Sequence, residues 1–325
     1  MTDLPAGVSF VIPVYNKAEW LPGVIAALKS QRGDFAREYI FVDDGSTDGS
    51  LEIVRRETAG WPNVTILSQA NAGSAAASNA GIMRARYAFT KFCDADDMLL
   101  PDATERLLAA IRAHPGVCLA WGGRVWYASA AEAAAYIEPP LNPATVLHRA
   151  PLKPAMQNSL FNPAQFMART ADLKACGGCD ERIVFSQEYS LTLRMALRGD
   201  FVQIAAPVAL VLRDAPGRLS GNTGRQLQRV TLALAWFLRD HPELAEDDVR
   251  FACRRAAGRA WKWRRRQYRA GFLSPWFGRY LRARLPGLPL PADPAGFIDV
   301  CAAAFAQEGL ALPGAAAAKR QQSAG

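Results

Sequence analysis

Along the first 125 residues, short apolar runs alternate with segments of helical spacing. The runs at residues 8–12, 39–42, 64–67, 89–93 and 117–121 predict buried strands. Between them, Trp20, Leu21, Val24, Ile25 and Leu28 recur at helical spacing within 19–28, and helices are predicted over 50–58, 74–86 and 102–113. Strands alternating with helices predict a mostly parallel sheet with helices on both faces, and ligands at the carboxyl ends of its strands. The pattern then weakens. Residues 130–154 are rich in Ala and Pro and predict loops around one short helix at 131–136. Alternation resumes with a strand at 165–169, a turn at Gly177-Gly178, a helix over 187–198 and a strand at 202–204. Beyond Asn222 the chain reads as helical, and residues 314–325 form a polar, Ala-rich tail predicted to be disordered. The expected organisation is an α/β domain over 1–222, a helical basic region over 223–313 and the tail. No internal repeat is present.

Composition adds three limits. Half of the 325 residues are apolar and 21% are charged, a globular balance. No stretch approaches the ~18–20 uninterrupted apolar residues of a membrane span. The N-terminus places no basic segment before an apolar run, so no secretory signal is expected and the six cysteines are expected to be reduced. Cys176-Gly-Gly-Cys179 has CxxC spacing but lacks a second pair. With only three scattered histidines to help, these thiols read as small buried apolar groups and not as a zinc or redox centre.

The net charge of +8 is local. Residues 250–284 hold twelve Lys/Arg and no acid, and the rest of the chain has 26 basic against 30 acidic residues. The same segment interleaves Phe251, Trp261, Trp263, Tyr268, Phe272, Trp276, Phe277 and Tyr280. At helical spacing Ala257, Trp261, Tyr268 and Phe272 share one side. Arg with Trp suits the headgroup zone of an anionic membrane. An ordinary helical cap, aromatics inward and arginines outward, has the same composition. Nucleic acid is not expected as a partner.

Three acidic constellations carry the chemistry. Asp43-Asp44-Gly45-Ser46-Thr47-Asp48 ends a buried strand and enters a turn, where a carboxylate can accept bonds from a base or ribose. Asp48 alone reads as the N-cap of the next helix. Asp94-Ala95-Asp96-Asp97 sets three carboxylates after another strand. They repel unless a cation lies between them, and hard oxygen ligands suit Mg2+ or Mn2+; a solvated acidic loop is the other reading. Phe185-Ser186-Gln187-Glu188-Tyr189 opens a helix, where a Glu is also a common dipole partner.

Taken in order, Ile12-Pro13-Val14-Tyr15-Asn16, Asp43 to Asp48, Asn71-Ala72-Gly73 with Asn79-Ala80-Gly81, Asp94 to Asp97, and Cys176 to Glu181 followed by Gln187-Glu188 closely resemble the family 2 glycosyltransferases of the GT-A fold. The resemblance covers residues 7 to 220. It implies a Rossmann-like GT-A domain that transfers a sugar with inversion from a nucleotide-diphosphate donor to a glycan or lipid-linked acceptor, as in bacterial cell-surface polysaccharide and lipopolysaccharide synthesis. It implies that Pro13, Tyr15 and Asp44 hold the base, that Asp94 approaches the ribose and that Asp96 ligates Mg2+ or Mn2+. Asn16, Asn71, Gly73 and Asn79 join the nucleotide-sugar site, and Glu188 is the catalytic base. The sequence departs from the family's pattern at Glu188, where Asp preceded by Glu is usual and Gln187 stands before it. It also departs at Ser78, in place of Arg, and at Cys179, in place of Phe. Two other functions remain open: a non-catalytic sugar-nucleotide-binding protein and a sugar-phosphate nucleotidyltransferase. The second is disfavoured, because it would want a Gly-rich basic loop after the first strand, where Pro13-Val14-Tyr15-Asn16 stands. The expected location is cytoplasmic, peripheral on the inner face of the membrane.

Overall fold

The computed structural model describes residues 4–137, 143–183, 187–213, 223–285 and 287–306. The chain divides into two compact units, Met1–Arg218 and Leu219–Gly325. The motif residues Phe185 and Ser186 and the predicted tail at 314–325 lie outside the described residues.

The first unit runs β1 (Val8–Val14), α1 (Leu21–Lys29), β2 (Arg37–Asp43), α2 (Ser50–Glu57), β3 (Val64–Ser68), α3 (Ser74–Arg84), β4 (Phe89–Phe92), β5 (Met98–Leu99), α4 (Ala103–Arg112), β6 (Val117–Tyr127), α5 (Ala130–Ala135), β7 (Thr145–His148), α6 (Leu152–Gln157), a 3-10 turn (Pro163–Gln165), β8 (Phe166–Arg169), α7 (Thr170–Ala175), α8 (Gln187–Met195) and β9 (Asp200–Leu212). The strands form one nine-stranded sheet in the order β3-β2-β1-β4-β8-β6-β9-β5, with β7 also paired to β9.

The run β3-β2-β1-β4 is parallel throughout. The central strand β1 is apolar on both faces because it is covered on both, and its Val8, Phe10, Val11 and Ile12 are fully buried. Phe10 stacks on Tyr39, with ring centroids 5.1 Å apart, and Trp61 meets Tyr39 edge-on at 5.0 Å. Beyond β4 the sheet becomes mixed. β8 runs antiparallel to both β4 and β6, and β5 and β7 run antiparallel to β9.

Two strands are longer than their predicted cores. β6 continues through Gly122-Gly123 to Tyr127, and β9 continues past Pro207 to Leu212. Their mutual register shifts at Gly123/Pro207, where an irregular pairing admits residues that break an apolar run. β7 and α6 occupy part of the segment predicted as loop. α3 crosses β1 closely: a Cβ on Gly81 would lie 2.3 Å from Val11 Cγ1, so this position takes glycine to let helix and strand meet.

The second unit contains α9 (Thr223–Asp240), α10 (Glu246–Tyr268), α11 (Pro275–Arg284) and α12 (Pro294–Ala303). α9 buries Val230, Leu234, Phe237 and Leu238, and Arg239 pairs with Asp299 of α12. α10 carries Glu246, Asp247 and Asp248 in its first turn and Arg265 and Arg266 in its last, the order its dipole favours. Ser274 and Asp293 cap α11 and α12, each followed by proline at the first helical position. No described helix is long and apolar enough to cross a membrane.

Candidate active site

In the parallel register Val14 lies beside Asp43, and Val11 beside Phe92. The loops after β1, β2 and β4 therefore leave the sheet at one edge. The first two are laced together. Asn16 sits in the left-handed region (φ 51), which Asn tolerates. Its Oδ1 accepts from Thr47 N at 2.8 Å, and its own N donates to Ser46 Oγ at 3.1 Å. Lys17 N donates to Ser50 Oγ at 2.8 Å, and Ala18 N to Asp48 Oδ2 at 3.0 Å. Asp48 Oδ1 also accepts from Ser50 N at 3.0 Å. The N-cap position itself falls to Gly49 (φ 86), so Asp48 braces the turn from one residue earlier than predicted.

Asp44 is buried and central to a second knot. Its Oδ1 accepts from Gln69 Nε2 at 2.8 Å and Ala72 N at 2.9 Å, and its Oδ2 from Gly73 N at 2.9 Å. Asn71 Nδ2 donates to Asp44 O at 3.1 Å. Gly73 adopts φ 92, a left-handed value that delivers its N–H to the carboxylate. Asp44, Asn71 and Gly73 thus meet as one unit beside the ends of β1 and β2. Pro13 is partly buried in β1, while Tyr15 is 48% exposed with its ring free to stack. Asn79 points elsewhere: its amide is committed to Cys179 and Glu181 of the Gly-Gly loop.

Asp94, Asp96 and Asp97 each offer an oxygen within 4.8 Å of the others. Lys17 Nζ contacts Asp96 Oδ2 at 2.5 Å, and Tyr127 OH donates to Asp96 O at 2.7 Å. Asp97 is buried and accepts from Leu212 N at 3.3 Å, tying the cluster to the end of β9. Burial, then the charges of Asp96 and Glu188, push the Asp94 carboxyl up to about 7, against the pull of Lys17 and Lys91. Lys91 is fully buried in β4, its Nζ donating to Phe92 O at 2.9 Å and Ala164 O at 2.6 Å. Burial pulls its ammonium down to about 8. An all-oxygen set already approached by one ammonium fits a hard divalent cation such as Mg2+ or Mn2+.

Glu188 stands in the first turn of α8, half-buried. Burial pushes its carboxyl up to about 7, and Ser159 Oγ donates to Oε1 at 3.3 Å. Its charge is one cause of the raised Asp94, so the base candidate lies within electrostatic reach of the acidic cluster. Gln187 Oε1 accepts from Ser74 Oγ at 3.0 Å, which fixes the start of α8 against the start of α3. Ahead of α8, Gly177 and Gly178 take φ 75 and 68, the predicted turn, and Asp180 is held by Arg182 (2.7 Å) and Arg194 (3.3 Å). Cys179 is buried and Cys176 partly so. Burial raises both thiols, and among the described residues no cation grouping includes a cysteine.

The structure brings Asp94, Asp96 and Asp97 together, with Glu188 within electrostatic reach of Asp94, and Asp44 with Asn71 and Gly73. Lys17, Lys91, Gln69 and Ser159 join the site without a motif to announce them. Lys17 follows Asn16 directly, yet a lone lysine before a helix has no distinguishing pattern.

In the second unit the aromatic residues divide differently from the predicted side. Trp261 is 5% exposed and packs on Phe272 and Phe277, with centroids 6.0 and 5.0 Å away. Trp263 packs on Phe305 at 5.9 Å. Phe272 lies beyond the end of α10, in the turn to α11, where it is 65% exposed and Leu273 is fully exposed. Arg269 begins that turn, and Arg265 lies 5.8 Å from the Phe272 ring.

The sheet and its loops have the GT-A fold. The first unit's motif region matches Glycosyl transferase family 2 over residues 9–132. The uncharacterized glycosyltransferase YibD of Escherichia coli (strain K12) is 39% identical over 100 residues, 31% of this chain and 29% of that protein. The chain thus spans under a third of that curated relative. The crystal structure of S. aureus TarS 1-349 in complex with UDP-GlcNAc superposes with TM-score 0.61 at 17% identity, covering 85% of this chain and 79% of that one. The mannosyltransferase PcManGT from Pyrobaculum calidifontis in complex with GDP-Man and Mn2+ gives 0.50 at 18% identity, covering 99% and 83%. At such identities the likeness is one of fold.

Proposed function

We propose that this chain is an inverting glycosyltransferase, moving a sugar from a nucleotide-diphosphate donor to a hydroxyl of a glycan or lipid-linked acceptor in cell-envelope polysaccharide synthesis. The observation that carries the reading is the carboxylate cluster of Asp94, Asp96 and Asp97 at the end of β4, with the half-buried Glu188 in the first turn of α8 close enough for its charge to act on Asp94. A carboxylate near pH 7 is matched to removing a hydroxyl proton. The acceptor oxygen then attacks the anomeric carbon, the bond from that carbon to the phosphate oxygen breaks, and the nucleotide diphosphate leaves while Glu188 keeps the proton.

Asp96 would hold Mg2+ or Mn2+, which supplies charge neutralisation for the departing diphosphate, and Asp94 beside it would approach the ribose. Asp44, with Pro13, Tyr15 and Asn16, would receive the base, and Asn71 and Gly73 brace Asp44 through their hydrogen bonds. Asn79 acts on the donor only through the loop it clamps. The complexes of TarS with UDP-GlcNAc and of PcManGT with GDP-Man and Mn2+ support a nucleotide-sugar donor of either base.

The second unit would rest on an anionic membrane surface, at the inner face of the cytoplasmic membrane. Twelve basic residues without an acid over 250–284, and the exposed Phe272-Leu273 tip, support this placement. Each basic residue near such a surface is worth about 1 kcal/mol.

A nucleotide-release assay tests the catalytic reading. With a panel of nucleotide-sugars and Mn2+, the wild type should release nucleotide diphosphate from one of them, and Glu188→Gln should bind that donor without turning it over. Donor binding with no turnover by the wild type under any acceptor would favour the binding-protein reading.

A further inference from the structure

Three carboxylates meet at the end of β4, and the cation among them is the chain's own. Lys17 Nζ lies 2.5 Å from Asp96 Oδ2, with the two side chains 28% and 20% exposed. The main chain beneath Lys17 is fixed, since the N–H groups of Asn16, Lys17 and Ala18 all donate into the β2–α2 turn, at 3.1, 2.8 and 3.0 Å. A mobile ammonium on a four-carbon stem is thus planted on a rigid base at the seat assigned to a divalent cation.

We propose that Lys17 is the resident counter-ion of the donor site. It holds Asp96 while the site is without donor, yields that carboxylate to the divalent cation, and then pairs with the diphosphate of the nucleotide donor. The inference rests on the reading of Asp96 as the cation seat of a glycosyltransferase.

Charge supports it. Lys17 and the buried Lys91 together offset at most two of three carboxylates, so the cluster still attracts a dication. An ammonium and a dication cannot share Asp96 without strong repulsion in a partly buried site. Once released, Lys17 keeps its charge next to the position where anionic phosphate oxygens must arrive. Metal alone therefore competes with Lys17, while metal with nucleotide gives Lys17 a new partner. The two ligands bind cooperatively, each gaining from the other by the same factor. An ion pair this exposed adds little to folding, so removing it alters the site and leaves the fold intact.

Mn2+ binding in the absence of nucleotide, followed by electron paramagnetic resonance, tests the first half. Lys17→Met should bind Mn2+ about tenfold more tightly than wild type, a shift of about 1.4 kcal/mol. Calorimetry at saturating Mn2+ tests the second half, using whichever of UDP and GDP binds the wild type better. There Lys17→Met should bind about tenfold more weakly, and Lys17→Arg should lie near wild type in both measurements. An unchanged melting temperature would show that Lys17→Met folds. If Asp96→Ala loses Mn2+ while Lys17→Met binds Mn2+ no more tightly than wild type, the Lys17 proposal is overturned and the cation seat stands. If Asp96→Ala binds Mn2+ as wild type does, the seat itself is misassigned and both readings fall.

Discussion

Asn79 and Cys179 hold each other by a reciprocal pair of hydrogen bonds: Cys179 N donates to Asn79 Oδ1 at 2.8 Å, and Asn79 Nδ2 donates back to Cys179 O at 3.0 Å. The contact ties α3 to the loop that leads into α8 and Glu188. Gly178 makes it feasible, because a Cβ there would lie 2.3 Å from Asn79 Oδ1. Asn79→Ala strands a buried amide and carbonyl, which costs about 1–3 kcal/mol. Urea unfolding should register that loss. Unchanged stability with weakened donor binding would instead make Asn79 a direct donor contact.

Glu188 should leave a signature in both rate and stability. Its carboxyl is raised from 4.5 to about 7 by burial. As a base it must be ionised, so kcat/KM should rise with pH through an apparent midpoint near 7, a value shared with Asp94, which feels its charge. In the unfolded chain it ionises near 4.5, so between about pH 5 and 7 the folded form binds the extra proton, and stability falls as pH rises through that window. Glu188→Gln should make the slope shallower, leaving the part due to Asp94, raise stability at pH 8 by about 1–3 kcal/mol, and lower kcat by roughly 10²–10⁴-fold. A variant as labile as wild type at pH 8 would deny the buried charge.

Membrane attachment should depend on the α10–α11 turn and not on the tryptophans. Leu273→Ser should weaken co-sedimentation with anionic vesicles even at low salt, with the melting temperature unchanged, because Leu273 is fully exposed. Trp261→Ala should lower the melting temperature, since truncating a buried aromatic costs about 3–5 kcal/mol. Wild type should detach as salt rises, because the arginine contribution is screened. Wild type that ignores vesicles at every ionic strength would reduce the second unit to a structural role.

What was legible in the sequence follows from how far each signal reaches along the chain. β1 is apolar on both faces and the acids directly follow the buried strands β2 and β4, so strand and chemistry were visible together. β7 hid because four residues of Thr-Val-Leu-His sit in an Ala/Pro-rich stretch and gain their strand state from β9. The far halves of β6 and β9 hid behind Gly122-Gly123 and Pro207, which only a paired, irregular register accommodates. Lys17 reaches Asp96 across 79 residues and Ser159 reaches Glu188 across 29, distances at which no local pattern exists. For Trp261, helical spacing marked a shared side but could not say which way that side faced.

The most direct test of the account is Mn2+-dependent release of nucleotide diphosphate from nucleotide-sugars, compared between wild type and Glu188→Gln at saturating donor. Glu188 as base predicts metal-dependent release by wild type and its loss by roughly 10²–10⁴-fold in the variant, with donor affinity retained. Undiminished release by Glu188→Gln would contradict it.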